Sequence, residues 1–337
     1  MIDKTSSPTS TPLNPLEFSA TVTNWQRQYG RNDLPWQINI TPYRVLVSEL
    51  MLQQTQVATV IPYFERWLQH FPTIEDLATA SEDAVMTQWQ GLGYYSRARN
   101  LHKAARYVVD EFAGQLPDNV DELREVPGVG PYTAGAISAF AFNKPAAIVD
   151  GNVKRLFSRY FGIEGEISSA KTNKTIWSLA EQYTPVTDSR RYAQALLDLG
   201  ATVCTPRAPS CQECPLQESC NAYATDRVQI LPTKKMKSKI PTRSGNFLLD
   251  LTSDGVVLVQ RSADGIWPRL WCLPETDEPP KNATIHGKFK HVFSHYKLDA
   301  TVFAQSIPNG ATRVHLDEIE SYGLPTPIRK YLNTLRT

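Results

Sequence analysis

The chain has 337 residues, 41% of them apolar and 20% charged, and a formal net charge of +1. That length accommodates two domains or one large one, and that composition excludes a chain disordered throughout. No run of about 18 apolar residues occurs, so no membrane-spanning helix is expected, and the overall charge is not that of a uniformly basic nucleic-acid binder.

In chain order, Met1–Pro15 is polar, without Arg and without the apolar core of a secretory signal, which predicts a loose tail and a cytosolic setting. From Leu16 to about Tyr223 the pattern is helical. Val45, Leu46, Leu50, Leu52, Val57, Val60, Ile61, Phe64 and Trp67 recur at helical spacing, and the polar run Gln53–Gln56 predicts a turn between two helices. Further helices are expected over 75–89, 97–113, 119–125, 132–142, 152–160, 171–183 and 190–200, with Val153, Leu156, Phe157 and Tyr160 on one face. After Arg227, Pro232 and Pro241 bracket a basic run, Lys234, Lys235, Lys237, Lys239 and Arg243, which suits a solvated linker or a phosphate contact. Asn246–Leu251 and Val256–Gln260 flank Ser253-Asp254-Gly255, a hairpin signal. Strands are expected at 283–292, 296–304 and 311–315, and a helix at 325–335. The sequence therefore predicts a mainly α N-terminal domain over 16–227, a basic linker over 228–243 and a smaller α+β domain over 244–337. Residues 1–230 carry 20 basic and 24 acidic side chains, and the remainder 15 and 10, so the second part is the basic one.

Four of the five cysteines form the pattern Cys204-x6-Cys211-x2-Cys214-x5-Cys220, and Cys272 stands alone. An odd count without a secretory signal argues against a disulfide framework. Four thiolates this close can enclose one metal centre. Unequal loops with a single CxxC suit an iron–sulfur cluster, while zinc also accepts four thiolates. Val126-Pro127-Gly128-Val129-Gly130-Pro131 lies between two helical segments. Its glycines permit a tight turn, and a helix opening at Pro131 aims free N–H groups at an anion, although Pro-Gly-x-Gly also occurs as a plain turn. Glu49 stands in the apolar run Val45–Leu52. Burial there raises a carboxyl pKa and suits a general acid, whereas a place on a polar stripe beside Ser48 leaves it ordinary. Asp150 follows the apolar run Ala146–Val149 and reads as a helix cap. The hydrogen bonds of that position favour the ionised form, so one carboxyl raised and one lowered is expected, as in glycosidic-bond cleavage.

Together LPW (34–36), SELMLQQTQVATVIPYF (48–64), GLGYYSRARNLHKAA (91–105), VPGVGPYTAGAI (126–137), VDGNVKR (149–155) and the cysteine loop resemble the MutY family of adenine DNA glycosylases, strongly over about 16–230 and more weakly beyond. The resemblance implies a helix–hairpin–helix glycosylase domain, with the hairpin motif at about 119–142 and a 4Fe–4S cluster loop at 204–220, followed by a Nudix-like domain. It implies removal of adenine mispaired with 8-oxoguanine, or with G, from duplex DNA by base flipping in base excision repair. Glu49 would be the acid that protonates adenine and then the base for water, and Asp150 would stabilise the sugar cation. Tyr132 and Asn152 would line the pocket. Gln54 and Tyr94 would be wedges, Thr55 and Leu92 would touch the 8-oxoguanine side, and Gly128 and Gly130 would hold a phosphate. Arg97, Arg99, Lys103, Lys154 and Arg155 are further candidates for phosphate contacts, with a solvated face the alternative for Arg97 and Lys103. Lyase-active relatives carry a Lys where this chain has Tyr132, and a phenol forms no imine, so little lyase activity is expected. Gly265–Pro274 resembles the Nudix-like domain, but no Nudix box of paired carboxylates is present, so pyrophosphate hydrolysis is not expected. Phe293-Ser294-His295 matches the loop that reads 8-oxoguanine, with Ser294 able to donate and accept. A monomer in the bacterial cytoplasm, associated with the nucleoid and handing its product to abasic-site repair proteins, completes the expectation.

Overall fold

The computed structural model describes residues 10–233, 240–281, 283–307 and 311–336. Lys234, Lys235, Lys237 and Lys239 lie outside the described residues, as does the tail through Thr9. The helices are α1 Pro15–Tyr29, α2 Pro42–Leu52, α3 Val57–His70, α4 Ile74–Thr79, α5 Glu82–Trp89, α6 Ser96–Phe112, α7 Val120–Glu125, α8 Pro131–Phe140, α9 Gly151–Tyr160, α10 Ala170–Tyr183, α11 Ser189–Asp198, α12 Asn221–Ala224 and α13 Thr326–Asn333. The strands are β1 Thr242–Leu249, β2 Leu251–Thr252, β3 Gly255–Gln260, β4 Trp271–Cys272, β5 Glu275–Thr276, β6 Thr284–Val292, β7 Lys297–Ala304 and β8 Thr312–Val314.

Local chemistry sets many of these bounds. Asn14 and Glu17 form a reciprocal capping box on α1, with Pro15 at its first turn. Thr41 caps α2 and Pro42 opens it. The turn expected at Gln53–Gln56 is present, and Gln54 takes a left-handed backbone (φ 56°). The expected helix over 75–89 is instead two, α4 and α5, because Ser81 accepts from the Ala84 N–H and starts a new helix. The loose tail ends earlier than expected: the Leu13 N–H donates to the Tyr160 hydroxyl at 2.8 Å, and Leu13 O accepts from the Tyr183 hydroxyl at 3.0 Å.

The described chain forms two compact units that do not follow chain order. The first comprises residues 1–65, 73–75 and 103–236. Its core gathers Phe18 and Val22 of α1, Val153, Leu156, Phe157 and Tyr160 of α9, and Leu196 of α11. The Phe18 ring lies 5.0 Å from Tyr160, 5.3 Å from Tyr183 and 6.0 Å from Phe157, centre to centre. Burying such a ring contributes roughly 2–3 kcal/mol. The second unit comprises residues 66–72, 76–102 and 237–337. The sequence assigns 66–102 to the helical domain, but Tyr95 OH donates to Leu324 O at 3.2 Å and Arg99 to Pro268 O at 2.9 Å. A Cβ at Gly323 would stand 2.9 Å from Met86 Cβ. These contacts join α5 and the start of α6 to the C-terminal residues.

That unit holds two small sheets. One has the order β5-β1-β7-β6, with β1 parallel to β7, and the other pairs β2, β4 and β8 with β3. The expected hairpin is shorter than its sequence signal. Leu251–Thr252 pairs with Gly255–Val256, while β1 leaves for the other sheet. Asp250 marks the parting: its carboxylate accepts from the Ile307 N–H and from Arg313, so β1 and β2 diverge there. Arg243, the described member of the basic run, lies in β1 with its guanidinium 4.8 Å from the Tyr296 ring centre. Among the described residues no helix is long and apolar enough to cross a membrane.

Candidate active site and cysteine loop

A cavity of about 930 Å³ in the first unit is lined by Glu49, Gln54, Thr55, Gly128, Gly130, Tyr132, Asp150 and Asn152, so eight residues singled out from sequence meet there. Glu49 comes from α2, Tyr132 from the first turn of α8, and Asp150 and Asn152 from the start of α9. Glu49 is 5% exposed, and its Oε2 has no hydrogen-bond partner. Burial raises its pKa to about 7. The Tyr132 hydroxyl, within hydrogen-bonding reach, pulls it down, and the negative charge of Asp150 pushes it up. Burial and the same two carboxylates hold the Tyr132 phenol neutral.

Asp150 departs from expectation. It caps α9, accepting from the Val153 N–H at 2.7 Å and from Asn152 Nδ2 at 2.9 Å, yet its pKa is raised rather than lowered. Burial outweighs the cap hydrogen bonds and the nearby Arg155 charge. The two carboxyls still differ in kind. Asp150 is supplied with donors while one Glu49 oxygen has none, so a proton shared between them resides on Glu49.

Gly128 has φ +80°, the left-handed turn the hairpin requires, but Gly130 does not: at φ −89° it is extended and serves as the N-cap of α8. A Cβ on Gly130 would meet open space, leaving room for a ligand at the helix N-terminus. On the far side of α9, Arg155 donates to Asn152 Oδ1 (2.9 Å), to Gly200 O (2.6 Å) and to Cys204 O (2.7 Å). Its guanidinium is therefore committed inside the protein, not displayed for a phosphate. Gly200 sits in a π-helical turn, Leu199–Val203, and an added Cβ would fall 2.5 Å from Asn152 Cβ. Lys154 lies on α9 outside the cavity lining.

Leu92, Tyr94 and Ser294 belong to the second unit. Leu92 is buried and its carbonyl accepts from Arg97, so it does not lie open at the surface. Tyr94 is 49% exposed in a left-handed conformation (φ 48°). Arg97, expected to face phosphate, is buried. It donates to Leu92 O and Gly93 O and lies 5.2 and 5.5 Å from the Trp89 and Tyr94 ring centres. Arg99 is likewise engaged with Pro268, while Lys103 is exposed. Ser294 is exposed in the β6–β7 turn, and its hydroxyl lies 3.5 Å from His295 Nδ1. Sequence reasoning missed Arg31 and Gln194, which line another wall of the cavity, and Asp198, buried behind them. A single Asp at the end of an amphipathic helix carries little signal.

Cys204, Cys211, Cys214 and Cys220 line one small cavity with Leu156, Arg159 and Tyr160. Among the described residues no three His, Cys, Asp or Glu side chains gather tightly enough for a single ion. The four thiols share one cavity, and four thiolates are a donor set that suits an iron–sulfur cluster. Burial pushes the Cys214 thiol up to about 12 and the other three thiols add to the effect, so bound iron has to displace those protons. Arg159 donates to Cys204 Sγ at 3.3 Å, a hydrogen bond of the kind that tunes cluster sulfurs.

Residues 47–182 match the HhH-GPD superfamily of base excision DNA repair proteins, residues 247–334 a NUDIX domain, and residues 204–220 the iron–sulfur binding domain of endonuclease III. The last match resolves iron–sulfur against zinc: the cofactor is a 4Fe–4S cluster, bound by the loop that carries the four cysteines. Adenine DNA glycosylase from Buchnera aphidicola subsp. Baizongia pistaciae is 35% identical over 348 residues, covering 96% of this chain and 98% of the relative. The Mus musculus protein of the same name is 33% identical, covering 93% and 76%. Among solved structures, a thermostable thymine-DNA glycosylase superposes with a TM-score of 0.57 at 30% identity, over 62% of this chain and 96% of that one. An endonuclease III–DNA complex, at 21% identity and a TM-score of 0.54 over 64% of this chain and 99% of that one, shares the fold.

Proposed function

The chain belongs to the adenine DNA glycosylase family of base-excision repair, and from that premise we propose that it releases adenine opposite 8-oxoguanine, and less well opposite G, leaving an abasic site in duplex DNA. The observation that carries this reading is a buried carboxyl, Glu49, raised by burial to a pKa of about 7, in one cavity with the donor-rich carboxyl of Asp150.

The target adenine leaves the stack and enters the cavity, with Gln54 and Tyr94 filling the gap. Glu49 gives its proton to a ring nitrogen of adenine. The glycosidic bond breaks, and its electron pair departs with the base. Asp150, oriented by Val153 N–H and Asn152, stabilises the positive charge that develops on the sugar. The Glu49 carboxylate then takes a proton from the water that adds to the sugar carbon. Gly128, Gly130 and the start of α8 hold a backbone phosphate, with Lys154 as a further contact. Thr55 and Leu92 are assigned to the 8-oxoguanine side, and Ser294 reads the oxidised base through its hydroxyl. Tyr132 carries a phenol and forms no imine, so the enzyme is a monofunctional glycosylase. Its partner is duplex DNA. It works as a monomer in the bacterial cytoplasm at the nucleoid, and its product passes to abasic-site repair enzymes.

Single-turnover base release from a labelled duplex with one adenine opposite 8-oxoguanine tests the reading, with A·T and 8-oxoguanine·C duplexes beside it. Alkali-dependent cleavage at that adenine is expected, and Glu49→Gln abolishes it while duplex binding persists. Cleavage without alkali makes the enzyme a lyase. Binding without any release makes the protein a DNA-binding module, and release of an oxidised pyrimidine reassigns the substrate.

A further inference from the structure

The cavity has a wall, built from the loop after α1 and from α11, that the chemistry above does not use. Asp198, the last residue of α11, is 0% exposed and does not itself line the cavity. Its Oδ2 accepts from the Arg31 backbone N–H at 2.9 Å. Its Oδ1 accepts from Arg31 Nε at 2.8 Å and from Gln194 Nε2 at 2.9 Å, and Arg31 Nη2 stands 2.7 Å from the same oxygen. Arg31 and Gln194 do line the cavity.

A glutamine amide can show a ligand either its carbonyl oxygen or its NH2 group, and its partner decides which. A carboxylate only accepts. Asp198 therefore draws the amide nitrogen of Gln194 toward itself and leaves the carbonyl oxygen, which accepts no hydrogen bond among the described residues, as the end able to meet a base. The same carboxylate neutralises Arg31 and holds it in place. A purine bearing an exocyclic amine offers a donor to that oxygen, whereas a purine bearing a carbonyl there brings acceptor against acceptor.

We propose that Asp198 is a positioning residue for base selection: by fixing the Gln194 amide and the Arg31 guanidinium it makes this wall an acceptor for an exocyclic amine. The inference rests on the reading of the cavity as an adenine site. It differs from that reading in assigning the choice of base to a carboxylate that touches neither base nor sugar.

The test is a ratio. Single-turnover release is measured for adenine and for unsubstituted purine, each opposite 8-oxoguanine, so that intrinsic reactivity cancels between variants. In Asp198→Asn the new amide can donate, Gln194 can turn over, and the adenine-to-purine ratio falls about tenfold or more relative to the unmodified protein. The double variant Asp198→Asn with Gln194→Glu recovers the ratio, because a carboxylate presents an acceptor in either orientation and restores a charge partner for Arg31. Gln194→Met lowers the ratio as Asp198→Asn does, and serves where the latter fails to fold. Equal slowing of both substrates, or no recovery in the double variant, overturns the proposal and leaves Asp198 a structural ion-pair member. Failure of the unmodified protein to release either base overturns the adenine reading instead.

Discussion

The Glu49 carboxyl is raised to a pKa of about 7 because α2 buries it among apolar neighbours, and one of its oxygens has no partner. Two expectations follow at this scale. Base release that needs a protonated Glu49 falls as pH rises through about 7, and a single-turnover pH profile locates the limb. The stability effect has the same sign. The folded-state pKa lies above the unfolded value, so the stability Glu49 confers is fully present below about 4.5 and is lost as pH rises to about 7. A shift of that size corresponds to about 2–4 kcal/mol. Glu49→Gln should therefore melt at a higher temperature than the unmodified protein at pH 8.5, with the gap closing near pH 4. A carboxylate in an apolar helix is legible in sequence because the pattern itself reports burial. The direction at Asp150 was not: the cap was legible, but the depth of its burial comes from α8 and α9 closing around it.

At the scale of elements, α9 ties the catalytic cap to the cysteine loop. Asp150 caps its first turn, Asn152 donates to Asp150, Arg155 donates to Asn152 and to the Cys204 carbonyl, and Arg159 reaches Cys204 Sγ. Arg155→Gln shortens that arm and unpins Asn152. The expected result is at least a tenfold drop in the rate of base release with duplex affinity nearly unchanged, read by single-turnover kinetics beside a binding titration. Gly200→Ala forces a methyl group against Asn152 Cβ and should cost about 1–3 kcal/mol in thermal denaturation. The loop 90–95 is organised in the same way from within, since buried Arg97 stacks on Trp89 and Tyr94 and caps two carbonyls. Arg97→Gln should lower the melting temperature and leave the salt dependence of duplex binding unaltered, because a buried guanidinium releases no counterions. Basic residues are visible in a sequence. Which of them point inward depends on carbonyls that other elements supply.

For the whole molecule, the cluster is expected to contribute to folding, since four ligands close a loop whose regular structure amounts to one 3-10 turn, Cys211–Glu213. Stripping the iron should bleach the visible absorption, lower the melting temperature and reduce base release together. The sequence alone determined most of the helices and the strands β6, β7 and β8, and it picked out the four cysteines, Glu49 and Asp150, because periodicity, capping and ligand spacing are local and repeat along the chain. The tertiary structure alone decided that residues 66–72 and 76–102 fold with the C-terminal strands, through the Tyr95–Leu324 and Arg99–Pro268 hydrogen bonds among others. It alone decided that β1 leaves its hairpin to lie parallel to β7. It also brought Arg31 and Gln194 to one wall of the cavity with Asp198 behind them, where 167 residues separate the partners of the part-buried Arg31–Asp198 ion pair. Those outcomes depend on which distant surfaces meet, and no local pattern records that.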